Sequence, residues 1–216
     1  MVTDIKFCGM TRAEDAREAA RLGAAYVGVI FAGGPRQLTT DRAAEVLGGL
    51  TDAVRRAGVF ATDDHDTIAR TAEPLGLHVV QLHGAHDAHS IAGIRRRFRG
   101  EVWSVIRLAG AELPLNAGEL FDEADAVLLD AKVPGTLGGS GVTLPWQQLA
   151  ERLGRLREKG RAKLALAGGL RADNVSEAIR LLRPGIVDVS SGVETAPGIK
   201  DHARMRAFRD AVHAST

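Results

Sequence analysis

"DIKFCGMTRAEDAREAARLGAAYVGVIF", residues 4–31, contains a complete strand–helix–strand unit. "DIKF" is a short apolar run that breaks at Cys8 and Gly9, and "YVGVIF" is a second such run. Between them Thr11 and Glu14 fit a capping box, alanines and Leu22 supply one apolar face at helical spacing, and Gly23 fits a helix stop. Two such strands joined through a helix point to a parallel sheet with helices packed over it.

The unit repeats along the chain. Further strand patterns stand at "RRAGVF" (55–60), "HVVQLH" (78–83), "VWSVI" (102–106), "AVLLD" (126–130), "KLALAGG" (163–169) and "IVDVSS" (186–191). Helical spacing recurs at 39–50, 63–76, 88–98, 144–160, 174–185 and 201–214, and only "AELPLNAGELFDEA" (111–124) is weak. Eight strand–helix pairs in 216 residues leave 27 residues for each, about what one such unit needs. The expected fold is a single (β/α)8 TIM barrel over residues 1–216. An open doubly wound sheet would carry GxGxxG after its first strand, where this chain has "CGMT".

Composition narrows the function classes. With 45% hydrophobic residues the chain has material for a substantial core, and 28 basic against 27 acidic side chains leave a formal charge of +1. Such a balance gives no broad field for nucleic acid or an anionic membrane, so any bound anion needs a local site. One cysteine cannot form an internal disulfide, and the first ten residues lack a secretory pattern, so a cytoplasmic location is expected. No apolar run approaches the length of about 18 to 20 residues that crosses a bilayer. The histidines at 65, 78, 86, 89, 202 and 213 are scattered without metal-ligand spacing, so no metal site is expected.

In a barrel of this kind, chemistry belongs where strands end and loops begin. Alternation along the first strand turns Ile5 and Phe7 toward the helices and Lys6 and Cys8 toward the interior. A lone cysteine is most often a small buried hydrophobe, but this one stands at a strand end. There Lys6 is expected to favour its thiolate. Strand six ends in Asp130, ahead of a glycine-rich stretch that includes Gly139, Ser140 and Gly141 and reads as a closing loop. Strands seven and eight end in Gly168-Gly169 and Ser190-Ser191-Gly192, which offer exposed N–H groups and hydroxyls to a phosphate dianion. Asp188 shares its orientation with Ser190, and a buried ion pair with Lys6 is its simplest structural role. Arg36, just past Gly33-Gly34-Pro35, suits a bidentate carboxylate contact. His83 stands near the mouth, where it serves either proton transfer or the loop's hydrogen bonding.

Together "KFCGMT", "VGVIFAGGPR", "VVQLHG", "LLDAKVPGTLGGSG", "LAGGLRADNV" and "VDVSSGVETAPGIKD" resemble the phosphoribosylanthranilate isomerase family, in the same order over nearly the whole chain. The resemblance implies the tryptophan-pathway Amadori rearrangement of N-(5-phosphoribosyl)anthranilate, with no metal and no organic cofactor. It also implies Cys8 as general base, Asp130 as general acid, Arg36 at the substrate carboxylate and Asp188 near the anthranilate amine. The phosphate falls to Gly168, Gly169, Ser190, Ser191 and Gly192, with Gly139 to Gly141 closing from above. The implied partner is a phosphorylated small molecule, and monomer and homodimer both fit.

Three alternatives remain at this point. A histidine-pathway or dual-substrate isomerase expects an aspartate where Cys8 stands. A synthase related to indole-glycerol phosphate synthase expects catalytic lysines, for which Lys132 and Lys200 are poor candidates. A non-catalytic barrel would bind phosphorylated ligands without converting them.

Overall fold

Strand β1 (Asp4–Phe7) pairs in parallel with β2 (Tyr26–Ile30) on one side and with β8 (Ile186–Val189) on the other, and that second pairing closes the sheet into an eight-stranded barrel. A computed structural model describes residues 2–84, 86–131 and 143–215. The remaining strands follow in chain order: β3 (Arg55–Phe60), β4 (Val79–Leu82), β5 (Glu101–Leu108), β6 (Ala126–Ala131) and β7 (Lys163–Leu166).

The helices alternate with them. They are α1 (Ala13–Arg21), α2 (Thr40–Leu47), α3 (His65–Ala72), α4 (Ala88–Arg95), α5 (Ala117–Glu123), α6 (Trp146–Lys159), α7 (Val175–Leu182) and α8 (His202–His213). The weak segment after β5 does fold as α5, where Ala117, Leu120 and Phe121 supply a short buried face. Thr39, Asp64, Asp87 and Asp201 cap α2, α3, α4 and α8 by accepting hydrogen bonds from backbone N–H groups in their first turns.

The capping box expected at Thr11 and Glu14 does not form. Helix α1 begins after Arg12, which makes no side-chain cap, and Thr11 Oγ1 instead donates to the carbonyl of Gly198 at 2.5 Å. That carbonyl sits in the turn between β9 (Glu194–Ala196) and β10 (Ile199–Lys200), a two-stranded antiparallel hairpin just past β8. The hairpin supplies Thr11 with a stronger partner than the local backbone. Gly23 does stop α1, at a φ of 77°.

The period-two reading of the strands holds. Ile5 and Phe7 belong to the apolar layer between sheet and helices, where Phe7 meets Phe208 edge-on at 6.1 Å. A second apolar cluster fills the barrel interior with Tyr26, Val79, Trp103, Leu128, Ala165 and Ile186, and the rings of Tyr26 and Trp103 cross at 4.9 Å. Above that plug the interior turns polar, with Lys6, Gln81 and Asp188 buried together.

Candidate active site

A cavity of about 450 Å³ opens at the C-terminal ends of the strands, and its lining includes Cys8, Arg36, His83, Asp130 and Asp188. Gly168, Gly169, Ser190, Ser191 and Gly192 line the same cavity from the loops after β7 and β8. Residues from six separate strand ends therefore converge on one space. Gly139, Ser140, Gly141 and Lys132 lie outside the described residues.

Cys8 follows β1 directly, and its N–H donates to Val189 O at 2.9 Å, which continues the β1–β8 ladder by one residue. The thiol is buried, in space that Gly28 of β2 leaves open: a Cβ on Gly28 would stand 2.8 Å from Cys8 Sγ. Burial raises the Cys8 pKa most, the charge of Asp188 raises it further, and Lys6 and Lys200 oppose without prevailing. Lys6 does favour the thiolate, as expected, but its pull is outweighed by burial and Asp188, and its ammonium also donates to Asp188 Oδ2 at 2.7 Å and Gln81 Oε1 at 2.9 Å.

Asp130 is the penultimate residue of β6, in register with Arg107 of β5. Its carboxyl is pushed up to about 6, first by burial and then by the charge of Asp188, against the pull of Arg107. Gly168 packs beside it at a φ of 84°, and a Cβ there would stand 2.7 Å from Ala131 N and 3.1 Å from Asp130 Oδ1. This is a position only glycine fills without displacing the carboxyl.

Asp188 lines the cavity and forms the expected ion pair: its Oδ2 accepts from Lys6, while its buried Oδ1 has no hydrogen-bond partner among the described residues. In the paired loops, no described residue accepts from the N–H groups of Gly169, Ser191 or Gly192. Asn174 Nδ2 donates to Gly169 O at 2.9 Å and braces the first loop. This is a concave set of donors fit for an anion.

Arg36 reaches the cavity as expected but is not alone there. Its Nε donates to Glu194 Oε1 at 2.9 Å and its Nη2 to Glu194 Oε2 at 2.6 Å. Lys200 Nζ donates to the same carboxylate at 2.7 Å and to Cys8 O at 2.5 Å. Reasoning from strand ends misses Glu194 and Lys200 because the hairpin lies beyond β8. The signal was present in "SSGVETAPGIKD", where a Pro-Gly turn separates a Glu and a Lys that it folds back onto each other.

Residues 5–211 match the family model described as N-(5'-phosphoribosyl)anthranilate (PRA) isomerase. The N-(5'-phosphoribosyl)anthranilate isomerase of Acidithiobacillus ferrooxidans is 40% identical over 205 residues, which cover 94% of each chain. The crystal structure of phosphoribosyl anthranilate isomerase from Thermus thermophilus superposes with a TM-score of 0.85 at 32% identity, over 99% of this chain and 100% of that one. A phosphoribosyl anthranilate isomerase solved in complex with reduced 1-(o-carboxyphenylamino)-1-deoxyribulose 5-phosphate has a TM-score of 0.82 at 29% identity, over 99% and 100% of the two chains.

Proposed function

Since the chain belongs to the N-(5'-phosphoribosyl)anthranilate isomerase family and is an isomerase of tryptophan biosynthesis, we propose that Asp130 is its general acid and Cys8 its general base. The observation that carries this reading is the convergence of two titratable groups on one cavity: a carboxyl raised to about 6, and a thiol at a strand end that burial raises against the pull of two lysines.

The chemistry runs in two proton transfers. Asp130 in its acid form protonates the ribose ring oxygen, the bond from that oxygen to C1′ breaks, and the nitrogen lone pair makes an iminium ion. The iminium acidifies the proton on C2′. Cys8 as thiolate removes that proton, the C–H electrons form the C1′=C2′ bond while the iminium π pair returns to nitrogen, and the resulting enolamine tautomerises to the ketone as the enol proton leaves and C1′ is protonated. At neutral pH the free pair rests mainly as Asp130 carboxylate and Cys8 thiol, because the carboxyl is the stronger acid of the two. The active arrangement holds the same number of protons, so catalysis needs a proton shifted between the two groups and none gained.

The other residues fix the substrate. The loops of Gly168-Gly169 and Ser190-Ser191-Gly192 hold the phosphate, Arg36 takes the anthranilate carboxylate, and Asp188 Oδ1 accepts from the anthranilate N–H. His83 flanks the same space. A relative was solved with reduced 1-(o-carboxyphenylamino)-1-deoxyribulose 5-phosphate bound, which supports a ligand that carries both a phosphate and an aromatic carboxylate.

Freshly generated phosphoribosylanthranilate, followed by loss of its anthranilate fluorescence, tests the reading directly. Wild type should convert it, and Cys8→Ser and Asp130→Asn should each lose about 10²- to 10⁴-fold in kcat, the usual share of a positioned acid or base. A Cys8→Ser variant with most of its activity would remove the base assignment, and conversion of the histidine-pathway aminoaldose instead would favour the rival isomerase.

A further inference from the structure

Glu194 and Lys200 are buried charges beside the cavity, and the proton transfers use neither. Their side chains are 4% and 0% exposed, and that of Arg36 is 11% exposed. One buried carboxylate between two cations is a costly arrangement unless geometry exploits it.

The contacts are specific to one edge of the guanidinium. Arg36 donates from Nε to both Glu194 oxygens, at 2.9 and 3.2 Å, and from Nη2 to Oε2 at 2.6 Å. The Nε–Nη2 edge is therefore taken, while no described residue accepts from Nη1. A guanidinium has a second two-donor edge, Nη1–Nη2, and a carboxylate fits it bidentately. The stem of Arg36 is also confined, since a Cβ on Gly9 would stand 2.6 Å from Arg36 Cδ. Lys200 ties the other end of the carboxylate to the reacting side, donating to Glu194 Oε1 at 2.7 Å, Cys8 O at 2.5 Å and Ser190 O at 3.3 Å. The three charges sum to one positive charge, which matches a single ligand carboxylate.

We propose that Glu194 is a positioning residue: it occupies the Nε–Nη2 edge of Arg36 so that the Nη1–Nη2 edge is preformed for the substrate's aromatic carboxylate. Through Lys200 it also sets that subsite in register with Cys8 and Ser190. The inference rests on Arg36 as the carboxylate-binding group.

The test compares two ligands by titration calorimetry: reduced 1-(o-carboxyphenylamino)-1-deoxyribulose 5-phosphate, and the counterpart made with aniline, which lacks the carboxylate. Wild type, Glu194→Gln, Glu194→Asp, Arg36→Ala and the double variant Glu194→Gln/Arg36→Ala are measured, with thermal melts as a folding control. Glu194→Gln should weaken the carboxylated ligand by about tenfold or more and move the aniline ligand by no more than about twofold, as loss of one charged hydrogen bond to a positioned group implies. Arg36→Ala should erase the difference between the ligands, and adding Glu194→Gln to it should cost nothing further. Should Glu194→Gln fail to fold, Glu194→Asp carries the test, because it keeps the charge but withdraws it by one methylene. Equal weakening of both ligands, or no change in either, overturns the proposal while leaving Arg36 in its role. A carboxylate preference that survives Arg36→Ala removes the reading of Arg36 and the proposal with it.

Discussion

Lys6 and Asp188 stand 182 positions apart in the chain and face each other in register across the seam where β1 meets β8, Nζ to Oδ2 at 2.7 Å. The same carboxylate is the second cause, after burial, of the raised pKa at both Cys8 and Asp130. One ion pair thus joins closure of the barrel to the raised pKa of the two groups proposed as base and acid.

Lys6→Met should be strongly destabilising. It leaves the Asp188 carboxylate buried without its cation, a change that costs about 3–5 kcal/mol in comparable pairs. Urea unfolding at neutral pH measures it, and a loss under about 1 kcal/mol would mean that water reaches the carboxylate.

Asp188→Asn should lower the Cys8 pKa. The substitution removes a negative charge that opposes the thiolate and releases Lys6 to act on it. Alkylation by iodoacetamide, followed against pH, should show its midpoint displaced downward and a faster rate at pH 8. An unchanged midpoint would make burial the sole cause.

The kcat/KM profile should rise through about pH 6, run level, and fall above the ordinary thiol range. The sign follows from the required state, acid Asp130 with thiolate Cys8. Below 6 the thiolate fraction climbs with pH, between the two values the gain at Cys8 cancels the loss at Asp130, and above both the acid form is lost. A profile that falls from pH 6 upward would mean a base that ionises below Asp130.

Asp130→Asn should be more stable than wild type at neutral pH even as it loses activity. The Asp130 value is raised from 3.8 to about 6 by folding. Its favourable contribution is therefore fully present below 3.8 and lost as pH rises through about 6, a difference of about 3 kcal/mol that asparagine does not incur. Chemical denaturation of both proteins at pH 4 and pH 7 reads it: the wild type should lose ground to the variant between the two.

Much of this was legible in the chain. Eight repeats of an apolar run and a helical pattern gave the barrel, and the residues closing those runs gave groups that line one cavity, Cys8, Asp130, Asp188 and the loops after β7 and β8, because βα loops sit at one end of every parallel barrel. The less legible elements were those whose partners lie far off in sequence. Thr11 looked like a local cap and instead serves Gly198, and Arg36 looked available and instead shares Glu194 with Lys200.

Side-chain alternation, helix spacing and strand ends are local properties, so the sequence by itself determined the fold, the inward direction of Lys6 and Cys8, and which groups reach the mouth. Ion-pair partners and the direction of each pKa depend on how many charges share a space from which water is excluded. Only closure of the barrel decided that burial and Asp188 outweigh Lys6 at Cys8, and that a carboxylate 158 positions from Arg36 takes one edge of its guanidinium.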